Sequence, residues 1–461
     1  MINMILPPIF EVVLTVALLL LLSKKHNLKW ILISFAVYYV AMFAFFGDYT
    51  GSGSFIINAL AYIMCLPIFF IPYILFAVYS KYDSFFYTLI FPVGIVITDF
   101  IGMLTILSPG MNIGYRFFYV TPLIQCASLI GAAGLSFIIG WFISSVVTMI
   151  SRKFKKRYVL AAILSAIVLV SAFIFGVIRL DNPSETSKYV HAAWATGPEL
   201  SSEGLEWEII SYEENMESFL ATSEEASQNG AEILIYAEEA FGIDKSRIEE
   251  FLNVARTKAQ ESNMAILISF DLETDGDDGC ENCVYFINKN GEIAGKYIKH
   301  MVIPIVEAGF IRGDGTFGQS SETFECGEVD MAYSICYDGN FEVYARRMQN
   351  DADLYLYPSW DWAPIENNHT MIAGFRAVEN GITLLKPTCY GRSVMYDSYG
   401  KIIYETHTKN GFEKVYTFDA PLSDKVTFYE KFGLYEDIVF FALAALLFVS
   451  GIVSIRKNKS E

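Results

Sequence analysis

Long hydrophobic stretches occupy both ends of the chain. Each approaches the roughly 20 mostly apolar residues that a helix needs to cross a bilayer. The pattern predicts about six transmembrane helices over residues 1–180 and a C-terminal transmembrane helix over residues 436–455. The predicted spans are Ile5–Leu22, Trp30–Phe46, Phe55–Val78, Phe85–Leu107, Ile130–Ile150, Val159–Ile178 and Ile438–Ile455.

The pattern changes between residues 186 and 425. Short runs rich in Ile, Val, Tyr and Leu alternate there with longer helical stretches, which favours a layered α/β domain. Predicted strands include Ile233–Ala237, Ala265–Leu272 and Met331–Tyr337, and predicted helices are Tyr212–Gln228, Lys245–Ser262, Phe341–Asp351 and Asn368–Asn380. Hairpin turns are predicted at Asn288–Gly291 and Ser398–Gly400. Each segment ends in glycine, the residue that most readily adopts the positive φ of such a turn.

Charge separates the two parts of the chain. Residues 181–432 hold 44 acidic and 19 basic residues, whereas the remainder holds 7 acidic and 14 basic residues. Most basic residues of the hydrophobic part lie in every second loop, including Lys24, Lys25 and the segment Arg152–Arg157, and the intervening loops Gly47–Ser54 and Ser108–Phe118 carry one between them, Arg116. Since basic loops stay in the cytoplasm, the α/β domain is expected on the extracytoplasmic side of the cell membrane. An acidic domain repels phosphate, so no nucleic acid is expected as a partner.

Cysteine spacing gives little sign of a metal site. The pair Cys280-x-x-Cys283 has no second pair or histidine cluster nearby, so we expect a local disulfide or two free thiols rather than zinc. The chain also lacks a glycine-rich phosphate loop. No metal and no organic cofactor are therefore predicted.

Three segments of the α/β domain place an acid, a lysine and a cysteine in chain order. Taken singly, Glu238 is an ordinary solvated acid, Lys299 a surface lysine and Cys336 a core cysteine. Their surroundings change that interpretation. The segments Leu234-Ile-Tyr-Ala-Glu238, Lys296-Tyr-Ile-Lys299-His-Met-Val-Ile-Pro304 and Ser334-Ile-Cys336-Tyr-Asp338 resemble the glutamate, lysine and cysteine motifs of the nitrilase superfamily.

Within that superfamily the chain resembles the bacterial apolipoprotein N-acyltransferases. Those proteins place several membrane helices before a nitrilase domain and one helix after it. Further matching segments are Ile124–Phe137, Tyr355–Asp361, Arg376–Gly381 and Met395–Ile402. The chain departs from the family pattern at Ala237, where proline is usual, at Asp338, where glutamate is usual, and at Trp360, where asparagine is usual. The resemblance implies an αββα sandwich attached to a polytopic helical bundle.

The resemblance also implies a mechanism. Cys336 would attack a phospholipid ester, Glu238 would act as general base, and Lys299 would stabilise negative charge. The resulting thioester would acylate the N-terminal diacylglyceryl-cysteine of a lipoprotein. Supporting roles are expected for Glu307, Tyr337 and Asp338, although a surface position for Glu307 and strand-end packing for the other two stay open. Trp207, Trp360 and Trp362 are candidate substrate contacts. Trp207 resembles a tryptophan of the family's substrate loop, whereas Trp360 and Trp362 are expected either to reach toward the bilayer or to pack in the core.

Two other functions stay open at this point. The chain could be a membrane-tethered amidase, or an acyltransferase with another amine acceptor, because a sequence does not show whether water or an amine reaches the thioester. A catalytically silent scaffold with the same fold is the third alternative, and the intact set of Glu238, Lys299 and Cys336 argues against it.

Overall fold

We describe a computed structural model of the chain. It describes residues 2–47, 53–103, 112–183, 188–198, 202–203, 206–207, 210–273, 279–303, 307, 324–326, 329–347, 352–362, 365–408, 412–423, 426–433, 438–439, 442 and 446. The chain divides into two compact units. One comprises residues 1–183 with 427–461, and the other comprises residues 184–426.

The first unit is helical. Its helices are α1 (Ile2–Lys24), α2 (Leu28–Phe46), α3 (Phe55–Phe69), α4 (Ile71–Tyr79), α5 (Tyr87–Met103), α6 (Thr121–Ile124), α7 (Ala127–Ser151) and α8 (Lys156–Asp181). Within the described residues, α1, α2, α7 and α8 are long and apolar enough to cross a membrane. Helices α3 and α4 add a fifth candidate if they form one broken span, and α5 is a shorter apolar helix. These apolar helices indicate a membrane protein.

The predicted third span, Phe55–Val78, is not one straight helix. Helices α3 and α4 meet at an angle of 43°. Pro67 lies inside α3 and Pro72 lies in the first turn of α4, so the break at Phe70 is flanked by two residues that lack a backbone donor. Most of the predicted span Ile438–Ile455 lies outside the described residues, and the count of transmembrane helices stays a prediction.

Helix α8 shows why this unit suits a lipid environment. Large apolar side chains such as Leu160, Ile167 and Ile178 are exposed along one side. The other side buries small residues, among them Ala161 and Gly176. A Cβ at Gly176 would lie 1.6 Å from the carbonyl oxygen of Pro122, so only glycine permits this approach. Small residues at a helix contact and apolar residues outside it are typical of packing in membranes.

The second unit is built around two large sheets, and its described residues form two further two-stranded sheets. Its strands are β1 (Tyr189–Ala195), β2 (Ser202–Glu203), β3 (Glu206–Trp207), β4 (Ile233–Tyr236), β5 (Phe241–Asp244), β6 (Ala265–Glu273), β7 (Cys280–Ile287), β8 (Ile293–Ile298), β9 (Phe324–Cys326), β10 (Val329–Tyr333), β11 (Leu354–Leu356), β12 (Ser359–Trp360), β13 (Thr383–Lys386), β14 (Thr388–Cys389), β15 (Arg392–Tyr396), β16 (Ile402–His407) and β17 (Tyr416–Pro421). Its helices are α9 (Tyr212–Gln228), α10 (Ile248–Ser262), α11 (Glu342–Arg347) and α12 (Glu366–Asn380).

The strand order defines the layers. The first sheet runs β17-β1-β4-β6-β7-β8, with β5 also paired to β6, and the second runs β16-β15-β13-β11-β10-β9. One buried apolar cluster joins the facing sides of the two sheets, and another joins the first sheet to α9 and α10. Helix α12 packs on the second sheet, where the hydroxyl of Tyr396 donates to the carbonyl oxygen of Thr370 at 2.9 Å. The expected αββα sandwich is therefore confirmed.

The predicted turns agree with the structure, but one predicted strand does not. Both glycine-containing turns are present, since Gly291 has φ 75° and Gly400 has φ 74°. The predicted strand Met331–Tyr337 is wrong in its second half, because β10 ends at Tyr333 and a 3-10 turn begins at Cys336. That turn places the cysteine at the end of the sheet rather than inside it.

Candidate active site

The three motif residues lie just beyond the ends of buried strands. Glu238 follows β4, Lys299 follows β8 and Cys336 follows β10. All three side chains are buried, with 1%, 0% and 1% of their surface exposed, respectively. Acidic and lysine side chains normally lie at the surface, so the burial of Glu238 and Lys299 is unusual and needs an explanation.

Lys299 is held between two carboxylates. Its ammonium donates to Oε1 of Glu238 at 2.8 Å and to Oε1 of Glu307 at 2.6 Å. Burial opposes the charged form, but the carboxylates of Glu238 and Glu307 prevail and hold the pKa of Lys299 well above its usual value. The site therefore contains a fixed positive charge.

Cys336 occupies a strained backbone position. Its φ is 45°, in the left-handed region that residues with a side chain rarely adopt. The backbone N–H of Cys336 donates to the carbonyl oxygen of Pro358 at 2.9 Å, and Sγ lies 3.8 Å from the carbonyl oxygen of Trp360. Strain of this kind persists only where the surrounding structure imposes it, and it is concentrated at functional sites.

The resting cysteine is a thiol. Burial raises the pKa of Cys336 well above its usual value, the Glu238 carboxylate raises it further, and the Lys299 ammonium opposes both. A base must therefore remove the proton when the sulfur reacts. Oε2 of Glu238 is buried and has no hydrogen-bond partner among the described residues, so one oxygen of this carboxylate is available to accept a proton.

Asn282 completes this side of the site, although no sequence motif marks it. It lies in β7, and its Nδ2 donates to Oε1 of Glu238 and to Oε1 of Glu239, both at 2.8 Å. The backbone N–H of Lys299 donates to the carbonyl oxygen of Asn282 at 2.9 Å. One residue of β7 thus orients both the acid and the lysine.

The predicted supporting residues divide into two kinds. Glu307 contacts Lys299 and also accepts from the backbone N–H of Ile303 at 2.8 Å, so it is not a free surface acid. Asp338 accepts from the hydroxyl of Tyr297 at 2.6 Å and from the N–H of Met301 at 2.7 Å. These bonds tie the turn that carries Cys336 to residues on both sides of Lys299.

Burial raises the pKa of Asp338 to about 6, although the hydrogen bond from Tyr297 opposes that rise. Tyr337 has a different environment. Its ring meets the ring of Phe341 edge-on at 5.3 Å, and both belong to the core between the sheets. Tyr337 thus packs in the core between the sheets, and its supporting role stays a prediction.

The three tryptophans do not form one group. The ring of Trp360 stacks on Tyr390 at 5.3 Å, and Tyr390 contacts Phe412 at 4.9 Å. Trp362 is half-buried, and its carbonyl oxygen accepts from the first residues of the α12 region. The side chain of Trp207 lies outside the described residues. Trp360 is placed beside Cys336 by its carbonyl oxygen.

A second buried network lies against the cysteine. Asp361 accepts from Lys386 Nζ at 2.6 Å and lies 2.5 Å from Nδ1 of His369. Nε2 of His369 lies 2.7 Å from the hydroxyl of Tyr357. Burial opposes ionisation of Asp361, but Lys386 and His369 hold its pKa below the usual value. This network contains charged residues that the sequence analysis did not select.

Three of these groups have the chemistry of metal ligands. Sγ of Cys336, an oxygen of Asp361 and a ring nitrogen of His369 lie within 4.8 Å of one another. Both oxygens of Asp361 and both nitrogens of His369 are already engaged, however, and the Lys386 ammonium would repel a second cation. The residues fit an ion-paired network better than a metal site.

Cys280 and Cys283 are free thiols, as are the other cysteines whose side chains the structure describes. The structure thus shows the two free thiols and not the local disulfide that was the other expectation. Neither thiol contributes to the site around Cys336, although the carboxylate of Asp271 lies beside Cys280.

Comparisons with known proteins identify a family and several relatives. Residues 202–420 match the family of carbon-nitrogen hydrolases. The chain is 25% identical over 323 residues to an apolipoprotein N-acyltransferase of Rickettsia typhi, which covers 64% of this chain and 62% of the relative. It is 26% identical over 375 residues to one of Shewanella oneidensis, which covers 74% and 68%, respectively.

A solved structure, an amidase from Nesterenkonia sp., aligns with a TM-score of 0.43 at 19% identity and covers 54% of this chain and 95% of that one. The chain spans less than two thirds of the length of the Rickettsia relative. The family match over residues 202–420 and the relatives confirm the resemblance to the apolipoprotein N-acyltransferases of the nitrilase superfamily.

Proposed function

We propose that this protein is a membrane acyltransferase that moves an acyl chain from a phospholipid to the N-terminal amine of a diacylglyceryl-cysteine lipoprotein. The observation that carries the proposal is the buried Lys299 ammonium between Glu238 and Glu307, beside a cysteine held at positive φ. The names of the relatives in Rickettsia and Shewanella support the choice of acceptor.

Acylation begins at the Cys336 thiol. Glu238 takes the thiol proton as the sulfur bonds to the ester carbonyl carbon of the phospholipid, and Lys299 stabilises the negative charge on the carbonyl oxygen. The bond from that carbon to the glyceryl oxygen then breaks. Glu238 returns the proton to the departing oxygen, a lysophospholipid leaves, and a thioester remains on Cys336.

Transfer reverses the roles of the same groups. The acceptor amine bonds to the thioester carbonyl carbon, and Glu238 removes a proton from the nitrogen. The carbon–sulfur bond breaks, and the proton moves from Glu238 to the sulfur of Cys336. The product is an amide, and the enzyme returns to its resting protonation state without a cofactor.

The apolar helices support a lipid donor. A phospholipid and a lipoprotein are both confined to the bilayer, so helices that fix the enzyme in the same bilayer raise the rate at which they meet. The distribution of basic loops supports an extracytoplasmic position for residues 186–425, in a multi-pass protein of the cell membrane.

The test is to trap the acyl-enzyme. The full-length protein in detergent–phospholipid micelles receives a phospholipid labelled in its acyl chain, with and without a diacylated lipopeptide. Cys336→Ala is compared with Cys283→Ala, a matched change at a buried cysteine outside the site. We expect a hydroxylamine-sensitive label on the wild type and on Cys283→Ala, none on Cys336→Ala, and loss of the label to the lipopeptide as an amide.

Other outcomes would replace the proposal. A label that water removes as fast with lipopeptide as without it would indicate a hydrolase. A label that moves only to other amines would indicate an acyltransferase with another acceptor. No label, from a folded protein whose Cys336 reacts with a thiol reagent, would exclude a phospholipid donor.

A further inference from the structure

Glu239 is a second carboxyl group beside the general base. Its φ is 52°, another rare left-handed value for a residue with a side chain. Successive side chains of an extended strand point to opposite faces, but this backbone turn lets Glu238 and Glu239 reach the same partner. Nδ2 of Asn282 donates to both carboxyl groups at 2.8 Å, and the backbone N–H of Glu239 donates to Oγ of Ser269 at 2.9 Å.

The charges around Glu239 do not balance if every group is ionised. Among the described residues, four acidic side chains, Glu238, Glu239, Asp271 and Glu307, lie around the Lys299 ammonium. Lys299 is already bonded to Glu238 and Glu307. Burying a further unpaired carboxylate is costly, and a carboxyl group avoids that cost by keeping its proton.

We propose that Glu239 is a neutral positioning acid in the working enzyme, that it holds Glu238 through the shared Asn282 amide, and that its ionisation switches the nucleophile off. The inference rests on the proposed role of Cys336 as nucleophile and Glu238 as base, but not on the identity of donor or acceptor. It assigns the upper pH limit of the reaction to a residue outside the three motifs.

The surroundings of Glu239 favour the neutral form. The titratable groups that face it are Glu238, Asp271, Lys299, Glu307, Cys280 and Cys389. Burial raises the pKa of Glu239 well above its usual value, the carboxylates of Asp271 and Glu238 raise it further, and Lys299 opposes them. A small part of Glu239 stays exposed, so it can exchange its proton with solvent.

The sign of the effect follows from these charges. Below its pKa, Glu239 adds no charge to the site. As the pH rises through that pKa, a second negative charge appears beside Glu238 and disfavours both the thiolate of Cys336 and the oxyanion. The rate of acylation should fall roughly tenfold or more on the alkaline side, since like charges a few ångströms apart repel strongly in a partly buried site.

The experiment measures the rate at which p-nitrophenyl hexanoate acylates Cys336 in the full-length protein in micelles, between about pH 6 and 10. Glu239→Gln cannot ionise, so we expect its alkaline limb to move to higher pH or vanish. Asp271→Asn removes a negative neighbour and makes Glu239 ionise earlier, so its limb should move to lower pH. Glu217→Gln, at an exposed position, should keep the wild-type profile.

Opposite shifts in two variants cannot arise from a common loss of folding. Superimposable alkaline limbs in wild type, Glu239→Gln and Asp271→Asn would overturn the inference. The ester needs neither phospholipid nor amine. A wild type that reacts with the ester but not with phospholipid would therefore contradict the proposed function alone, and the role of Glu239 would be judged from the ester profiles.

Discussion

Two buried lysines flank the candidate nucleophile, and their surroundings differ. Lys299 and Lys386 are both fully buried. Lys299 is bonded to two carboxylates, with further acidic groups close by. Lys386 is bonded to one carboxylate, that of Asp361, and to Oγ1 of Thr388 at 3.0 Å.

The difference is one of charge balance. The Lys386 network pairs one ammonium with one carboxylate, so its protons are fixed by strong hydrogen bonds and its role is to hold geometry. The Lys299 network contains more acids than bases, so at least one proton is shared within it and can move. The Lys299 network, which contains the base for the thiol, can therefore move protons. The Lys386 network instead holds the loop of Trp360 and Asp361 rigid.

The largest expected effect comes from removing the ammonium of Lys299. Lys299→Met takes away the charge that stabilises the thiolate and the oxyanion. We expect acylation of Cys336 by labelled phospholipid to slow by about a thousandfold or more, as for the loss of an electrostatic stabiliser in other acyl transfers. A loss of less than tenfold in a folded variant would remove Lys299 from the mechanism.

Removing the other lysine should act mainly on stability. Lys386→Met leaves the Asp361 carboxylate buried without its cation, which costs about 3–5 kcal/mol of the free energy of unfolding. Denaturant unfolding measures the loss. The double variant Lys386→Met with Asp361→Asn removes both charges and should recover part of it. If Lys386→Met kept its stability and lost acylation, the balanced network would have to be counted as catalytic.

The same contrast explains what could be predicted from the sequence. Glu238, Lys299 and Cys336 each end a strand and carry a local motif, so short segments identified them. Asn282, His369 and Lys386 carry none. Lys386 comes near the site only through the parallel pairing of β11 with β13, and Asn282 only through the pairing of β6, β7 and β8.

Helices and strands, too, could be predicted correctly where a local sequence signal marks their ends. Helix α9 has the predicted bounds Tyr212–Gln228, because a reciprocal capping box between Ser211 and Glu214 marks its start. The strand predicted up to Tyr337 failed because apolar alternation continues past Tyr333 while the backbone turns to φ 45° at Cys336. A strained turn that serves chemistry has no signature in hydrophobic periodicity.

A smaller effect is expected in the pH dependence of stability, and it comes from Asp338. Asp338 lies on the Lys299 side, and its pKa is raised from 3.8 to about 6 in the folded protein. The folded state therefore binds this proton more tightly than the unfolded state. The stability from this group is fully present below about pH 4 and is lost as the pH rises through about 6.

Relative to Asp338→Asn, the wild type should gain up to about 3 kcal/mol in the free energy of unfolding between pH 7 and pH 4. The measurement is the melting temperature of both proteins across that range. Comparing the two cancels the surface ion pairs that weaken at low pH in both. Parallel curves would contradict a raised pKa at Asp338.

The smallest effect is expected from a lysine that is not buried. Lys245 lies 3.0 Å from Glu281, but 48% of the Lys245 side chain is exposed. Exposed pairs contribute about 0–1 kcal/mol, so Lys245→Met should change the free energy of unfolding by no more than that. Glu281 keeps Lys296 as a partner, which reduces the effect further. Acylation of Cys336 should be unchanged. A loss comparable to that of Lys386→Met would mean that burial and charge balance do not separate the lysines of this domain, and the contrast between Lys299 and Lys386 would lose its physical basis.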